Sequence, residues 1–329
     1  MPAIPSDPLA ALTDAVRRRF GAQARVDNLT QATLGGSNRT LLFDLVEPAG
    51  TRRLVSREET FSDKANPFLP PDMQFRIMTT VHRSGIPVPE PVFAYDEQDA
   101  LGPGFVTAFV SGETLPRRLL ADTTNHSRIL AQLADALVRL HALDLDDFAF
   151  LREIPESGDP VAALAMRLDS IAEPHPALEL GLRWLETHRP DAVAPAMVHG
   201  DFRNGNFMIG PEGLAALLDW ECSFIGDGAA DLGWLCTRSW RFGAIDRHAG
   251  GFGTRDDLIA AYRAAGGRAI TPEEIRWWEV HGLIRWGFYN GLQGLGHVNG
   301  RRSPAYAACG RNAALMEYDL LMTLSGTYD

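Results

Sequence analysis

Residues 196–235 read AMVHGDFRNGNFMIGPEGLAALLDWECSFIGDGAADLGWL, and this stretch decides the fold. An apolar Ala196-Met197-Val198 leads into His199-Gly200-Asp201, and Asn206 follows Asp201 by five positions. Two short apolar runs, Asn206–Ile209 and Leu214–Leu218, flank Gly210-Pro211-Glu212-Gly213. Glycine and proline between two β-prone runs predict a hairpin. Such a hairpin brings its two ends together, so Asp201 just before it and Asp219 at its far end, 18 positions apart, should lie close in space, with Asn206 at the near end too. Asn206 and Asp219 offer hard oxygen ligands, suited to Mg²⁺ held jointly with substrate phosphates. Asp201 can accept the proton of an incoming hydroxyl and orient it for in-line attack.

Outward from this stretch the chain changes character. Residues 8–20 have a helical pattern. Strands are predicted at Arg25–Leu34, Thr40–Val46 and Arg52–Arg57, the first two joined by Gly35-Gly36-Ser37-Asn38. A loop, a helix from about Asp72 to Arg83, and a buried strand in GFVTAFV come next. After Gly112 helices dominate. Ile129, Leu133, Leu137 and Leu140 fall on one helical face, with Leu130, Ala134 and His141 beside them. Two more helices are expected at about 160–171 and 177–188, and the segment after Asp231 is mostly helical. The expected architecture is α+β, with residues 1–111 as a small strand-rich lobe and residues 112–329 as a larger helical lobe.

The 329 residues carry a formal net charge of −11. General nucleic-acid binding needs a basic surface, so a strongly acidic chain argues against nucleic-acid partners and against an electrostatic membrane anchor. No apolar run is long enough to span a bilayer. The three cysteines have neither metal-knuckle nor redox spacing, and the N-terminus has no signal-peptide pattern. A cytoplasmic location is expected, and oligomeric state is left open. Lys64 is the only lysine, so a cationic phosphate clamp must use arginine or that one residue.

The combination HGDxxxxN, LDWE and GDGAADL resembles the aminoglycoside phosphotransferase and choline kinase group of small-molecule kinases. Within it the chain is most similar to the branch that includes the kinase-like domain fused to some acyl-CoA dehydrogenases. LGGSNRTLLFDL, ILAQLADALVRLHALD, RWWEVHGLIRW and GRNAALMEYDLL extend the resemblance over nearly the whole chain.

The resemblance implies a two-lobed protein-kinase-like fold and ATP-dependent, Mg²⁺-dependent phosphorylation of a small-molecule hydroxyl acceptor. It implies Asp201 as catalytic base and Asn206 and Asp219 as metal ligands. Gly35, Gly36 and Ser37 match the phosphate-covering turn, and Phe109 and Val110 the adenine hinge. Asp231 matches a buried brace of the catalytic loop, and His199 a loop-organising residue.

Three departures stand out. Arg57 occupies the place of the strand lysine that pairs the nucleotide phosphates; the branch commonly has arginine there, which meets the charge requirement, though arginine is bulkier and forked. The helix glutamate that would pair with it is replaced by Gln74, which could hydrogen-bond Arg57 but not neutralise it, while Glu58 or Glu59 could compensate. Gly226-Asp227-Gly228 stands where the branch often has Gly-Asp-Pro. The Arg57/Gln74 pair keeps open a second reading, a nucleotide-binding pseudokinase. A third, a metal-dependent hydrolase using His199, Asp201, Asp219 and Glu221, lacks a second histidine at ligand spacing. Trp277, Trp278 and Trp286 read as core packing or as an acceptor wall, with Arg285 or Glu279 as candidate lining.

Overall fold

A computed structural model describes residues 8–32, 38–59, 66–171 and 173–328. In chain order the elements are α1 (Pro8–Phe20), β1 (Arg25–Gln31), β2 (Asn38–Glu47), β3 (Gly50–Glu59), α2 (Pro71–Arg83), β4 (Pro91–Ala94) and β5 (Gly104–Ala108). They are followed by α3 (Pro116–Leu119), α4 (His126–His141), α5 (Pro160–Asp169), α6 (Pro176–Thr187), β6 (Ala196–Val198), β7 (Phe207–Gly210), β8 (Gly213–Leu217) and β9 (Phe224–Gly226). The chain ends with α7 (Ala229–Cys236), α8 (Arg255–Ala264), α9 (Pro272–Val298) and α10 (Ala307–Leu324). They form two compact units, residues 1–113 with 206–223, and residues 114–205 with 224–329.

The first unit is built on an antiparallel sheet ordered β1-β2-β3-β5-β4. Its strands alternate apolar and polar positions, as a sheet with unlike faces requires. Phe43, Leu45, Leu54 and Val106 are buried on one face, under Leu12, Ala15 and Val16 of α1. Arg57 pairs in register with Phe105, so both belong to the opposite face, where Phe75 of α2 packs 6.2 Å from the Phe105 ring. This unit also holds the β7–β8 hairpin. Gly210 pairs with Gly213 and leaves a two-residue Pro211-Glu212 loop, as the sequence predicts.

The second unit is helical. On α4 the residues Ile129, Leu133, Leu137 and Leu140 are buried, together with Leu130 and Ala134. At its centre lies α9, 27 residues long and buried along most of its length. Pro272 at its first turn has no N–H to leave unpaired, and a Thr271/Glu274 capping box satisfies the N–H groups of those two residues. The short pair β6–β9 fixes the two ends of the chain around the hairpin excursion, with Met197 opposite Ile225. Among the described residues no helix is long and apolar enough to cross a membrane.

Candidate active site

In the second unit β6 ends at Val198, and the chain turns through His199-Gly200-Asp201. This loop is fixed from beneath by Asp231 in the first turn of α7, which is fully buried. One Asp231 oxygen accepts from the His199 N–H at 2.9 Å and the other from the Gly200 N–H at 2.9 Å. His141, at the end of α4, places Nε2 3.2 Å from Asp231 Oδ2 and Nδ1 2.8 Å from the Tyr262 hydroxyl. A carboxylate absent from this place would leave two buried amides without their acceptor. The position of Gly228 explains one departure in the sequence: a Cβ there would lie 2.6 Å from His141 Nδ1.

The His199 ring accepts from the Asp201 N–H through Nδ1 at 3.2 Å. The Asp201 carboxylate receives two donors on Oδ1, Trp234 Nε1 at 2.8 Å and Arg203 Nε at 3.0 Å. Arg203 lies over Trp240 at 4.5 Å. Arg285 lies over Trp234 at 4.0 Å and donates through Nη2 to the Gly200 carbonyl at 2.6 Å. Asp201 therefore stands on a loop held at backbone and side chain alike.

In the first unit the base of the hairpin is closed by Leu218 N–H donating to the Asn206 carbonyl at 2.9 Å. That bond sets Asn206, itself buried, across from Leu218, the residue before Asp219. Asp219 has φ of 67°, a left-handed conformation that non-glycine residues adopt rarely. The turn directs its carboxylate to Arg57, whose Nη2 donates to Asp219 Oδ1 at 2.6 Å and to Glu221 Oε2 at 2.9 Å. Burial opposes the Arg57 charge, yet Asp219 and Glu221 outweigh it and hold the guanidinium above its ordinary pKa. Glu221 is thus the carboxylate partner that the sequence leaves unassigned.

Gln74, although on the expected helix α2 and buried, does not serve Arg57: its amide donates to the Leu69 carbonyl at 2.7 Å. Glu58 is engaged by Arg39 and by the Ser56 hydroxyl, and Glu59 accepts from Asn66. For Glu58 the strand position explains this, since it faces the side of β3 opposite Arg57. Phe109 donates its N–H to the Arg53 carbonyl at 3.0 Å and is 44% exposed, with Val110 next in the chain. Gly35, Gly36 and Ser37 lie outside the described residues, as does Lys64.

The α9 residues separate into several roles. Trp277 is buried and donates to the Leu185 carbonyl, and Trp278 donates to Asp227. Glu279 is buried between Arg241 and Arg255, each 2.8 Å away, so it is a core ion triad member and not a lining residue. Trp286 packs against Trp240 at 5.2 Å. The residues that sequence reasoning passed over are Trp234, Arg203 and His141, together with the partnering role of Glu221. Their signals were present in DFR, DWE, DLGW and the terminal histidine of α4, but no spacing rule links them.

Among the described residues no group of three or more His, Cys, Asp or Glu side chains is gathered as a ready metal cage. The donor chemistry of Asn206 and Asp219 nonetheless fits Mg²⁺. This ion keeps waters and substrate phosphates in its shell and asks the protein for only one or two carboxylate-type ligands.

The sheet order, the hairpin and the helical second unit define a kinase-like α+β fold. Residues 28–278 match the family described as "Phosphotransferase enzyme family" (APH), and the chain belongs to that family. It is similar to acyl-CoA dehydrogenase family member 10 of Mus musculus, 28% identical over 226 residues. That alignment covers 63% of this chain and 20% of the mouse protein, so the chain matches about a fifth of that relative's length. The fold is shared with macrolide 2'-phosphotransferase MphH from Brachybacterium faecium, with TM-score 0.62, 20% identity, and coverage of 93% of this chain and 98% of that one. It is shared too with spectinomycin phosphotransferase APH(9)-Ia, solved with ADP and spectinomycin, with TM-score 0.66, 11% identity, and coverage of 97% and 99%.

Proposed function

We propose that this chain transfers the γ-phosphoryl group of ATP to a hydroxyl group of a small molecule. The observation that supports it most is the Asp201 carboxylate, fixed by Trp234 and Arg203 on a loop whose amides are held by buried Asp231. A general base must be held in one orientation to take a proton as the bond to phosphorus forms. In this reading the acceptor hydroxyl gives its proton to Asp201, its oxygen bonds to the γ-phosphorus, and the bond to the bridging oxygen breaks. ADP leaves with that oxygen.

Asn206 and Asp219 would hold Mg²⁺, which when bound offsets charge on the phosphate oxygens. Arg57 would supply fixed positive charge to the nucleotide phosphates, with Glu221 as its retained partner. Gly35, Gly36 and Ser37 would cover the phosphates, and Phe109 and Val110 would border the base. The acidic charge and cysteine usage are consistent with a cytoplasmic protein acting on a small molecule.

The test is a hydroxyl-compound library screened with purified protein, Mg²⁺ and γ-labelled ATP, beside an Asp201→Asn variant. Label appearing in a product with the wild-type chain and not with the variant is the expected result. Nucleotide binding without transfer to any compound would favour the pseudokinase reading.

A further inference from the structure

Trp234 lies three residues after the loop brace Asp231, in α7, and is 3% exposed. Its indole N–H points to Asp201 Oδ1 at 2.8 Å. An indole is a donor only and does not ionise at any working pH. It can therefore hold a carboxylate without competing for the proton that the carboxylate takes up. Arg203, the second donor to Oδ1, carries charge and is partly exposed.

The ring itself is held from several sides. The Arg285 guanidinium covers one face at 4.0 Å, and Trp240 packs at 5.2 Å. α9 passes close enough that a Cβ at Gly282 would lie 2.8 Å from Trp234 Cε3. Arg285 also grips the Gly200 carbonyl at 2.6 Å. The contact between α7 and α9 thus fixes both the side chain of Asp201 and the peptide just before it.

We propose that Trp234 is a positioning residue for phosphoryl transfer, its indole N–H fixing the orientation of the Asp201 carboxylate. This rests on the reading of Asp201 as the base. Core packing alone would need only the area of an aromatic ring, which phenylalanine largely supplies. The N–H is the atom that a purely structural role does not use.

The experiment uses the full chain and two readouts. Acceptor-free ATP hydrolysis, with water taking the phosphoryl group, is measured for wild type, Trp234→Phe, Asp201→Asn and the double variant. A charged hydrogen bond of this kind corresponds to about tenfold to a hundredfold in rate. We expect Trp234→Phe to lose that much kcat, with the KM for Mg²⁺-ATP within about twofold. In the Asp201→Asn background the same change should have no further effect.

The second readout is the indole spectrum of ¹⁵N-tryptophan-labelled protein, in which the Trp234 peak is assigned by its loss in Trp234→Phe, or in Trp234→Tyr should that variant not fold. That peak should move in Asp201→Asn. Wild-type turnover in Trp234→Phe, or a Trp234 peak unmoved by Asp201→Asn, overturns the positioning role. Undiminished turnover in Asp201→Asn overturns the base itself, a separate failure. Where wild type hydrolyses no ATP without an acceptor, the indole peak decides.

Discussion

Arg57 on β3 and Glu221, 164 positions later, share an ion pair at 2.9 Å, and the same guanidinium nitrogen reaches Asp219 at 2.6 Å. The helix carboxylate expected to partner a strand cation is replaced by one from the far end of the hairpin. The charge is balanced from a different element, beside the residue proposed as a metal ligand. Glu221→Gln should therefore loosen Arg57 while leaving Asp219 in place. With both side chains less than a third exposed, a loss of about 1–2 kcal/mol is expected. Thermal unfolding and the KM for Mg²⁺-ATP are the measurements, the latter rising severalfold.

Asp201→Asn keeps the shape of the side chain and removes its capacity to take a proton. Turnover should fall by about 10²–10⁴-fold, the usual contribution of general-base catalysis. The Kd for Mg²⁺-ATP, measured by calorimetry, should remain within about twofold.

Asp231→Ala would strip two buried amides of their acceptor. Each orphaned group costs about 1–3 kcal/mol, so a loss on the order of 4 kcal/mol is expected. Denaturant unfolding measures it. Asp231→Asn, which retains one acceptor oxygen, should fall between wild type and the alanine variant.

His281 on α9 gives a pH signature. Burial, and then the neighbouring charge of Arg285, push it down to about 3, against an opposing backbone hydrogen bond at Pro160. Between pH 6.5 and 3 the unfolded chain therefore binds a proton that the folded chain refuses. The contribution of His281 to stability is complete above pH 6.5 and is lost as pH falls toward 3. By linkage, the step from pH 6.5 to 5 removes about 2 kcal/mol. Urea titrations across that range should show a shallower decline for His281→Gln than for wild type.

Mg²⁺-ATP at about a hundredfold over its Kd should stabilise the fold by roughly 2.7 kcal/mol. A rise in Tm of about 4 °C follows for a chain of this size. Excess EDTA should abolish it. No rise at any nucleotide concentration would remove the basis for assigning Asn206 and Asp219.

The amino-acid sequence by itself determined the element types and supplied the residues proposed for the site. Alternation of apolar residues in β2 and β3, the 3.6-residue stripe of α4, and the Gly-Pro-Glu-Gly turn of the β7–β8 hairpin are local patterns, each legible without the rest of the chain. The spacing of Asp201, Asn206 and Asp219 was legible for the same reason. Only the tertiary structure decided what surrounds them. Glu221 takes the place of Gln74 beside Arg57 because β3 meets the base of the hairpin, while Gln74 is turned to Leu69. Trp234 and Arg285 reach Asp201 and Gly200 because α7 packs on α9. Such pairings are set by how elements stack, across tens of residues of chain, and sequence periodicity carries no record of which faces will meet.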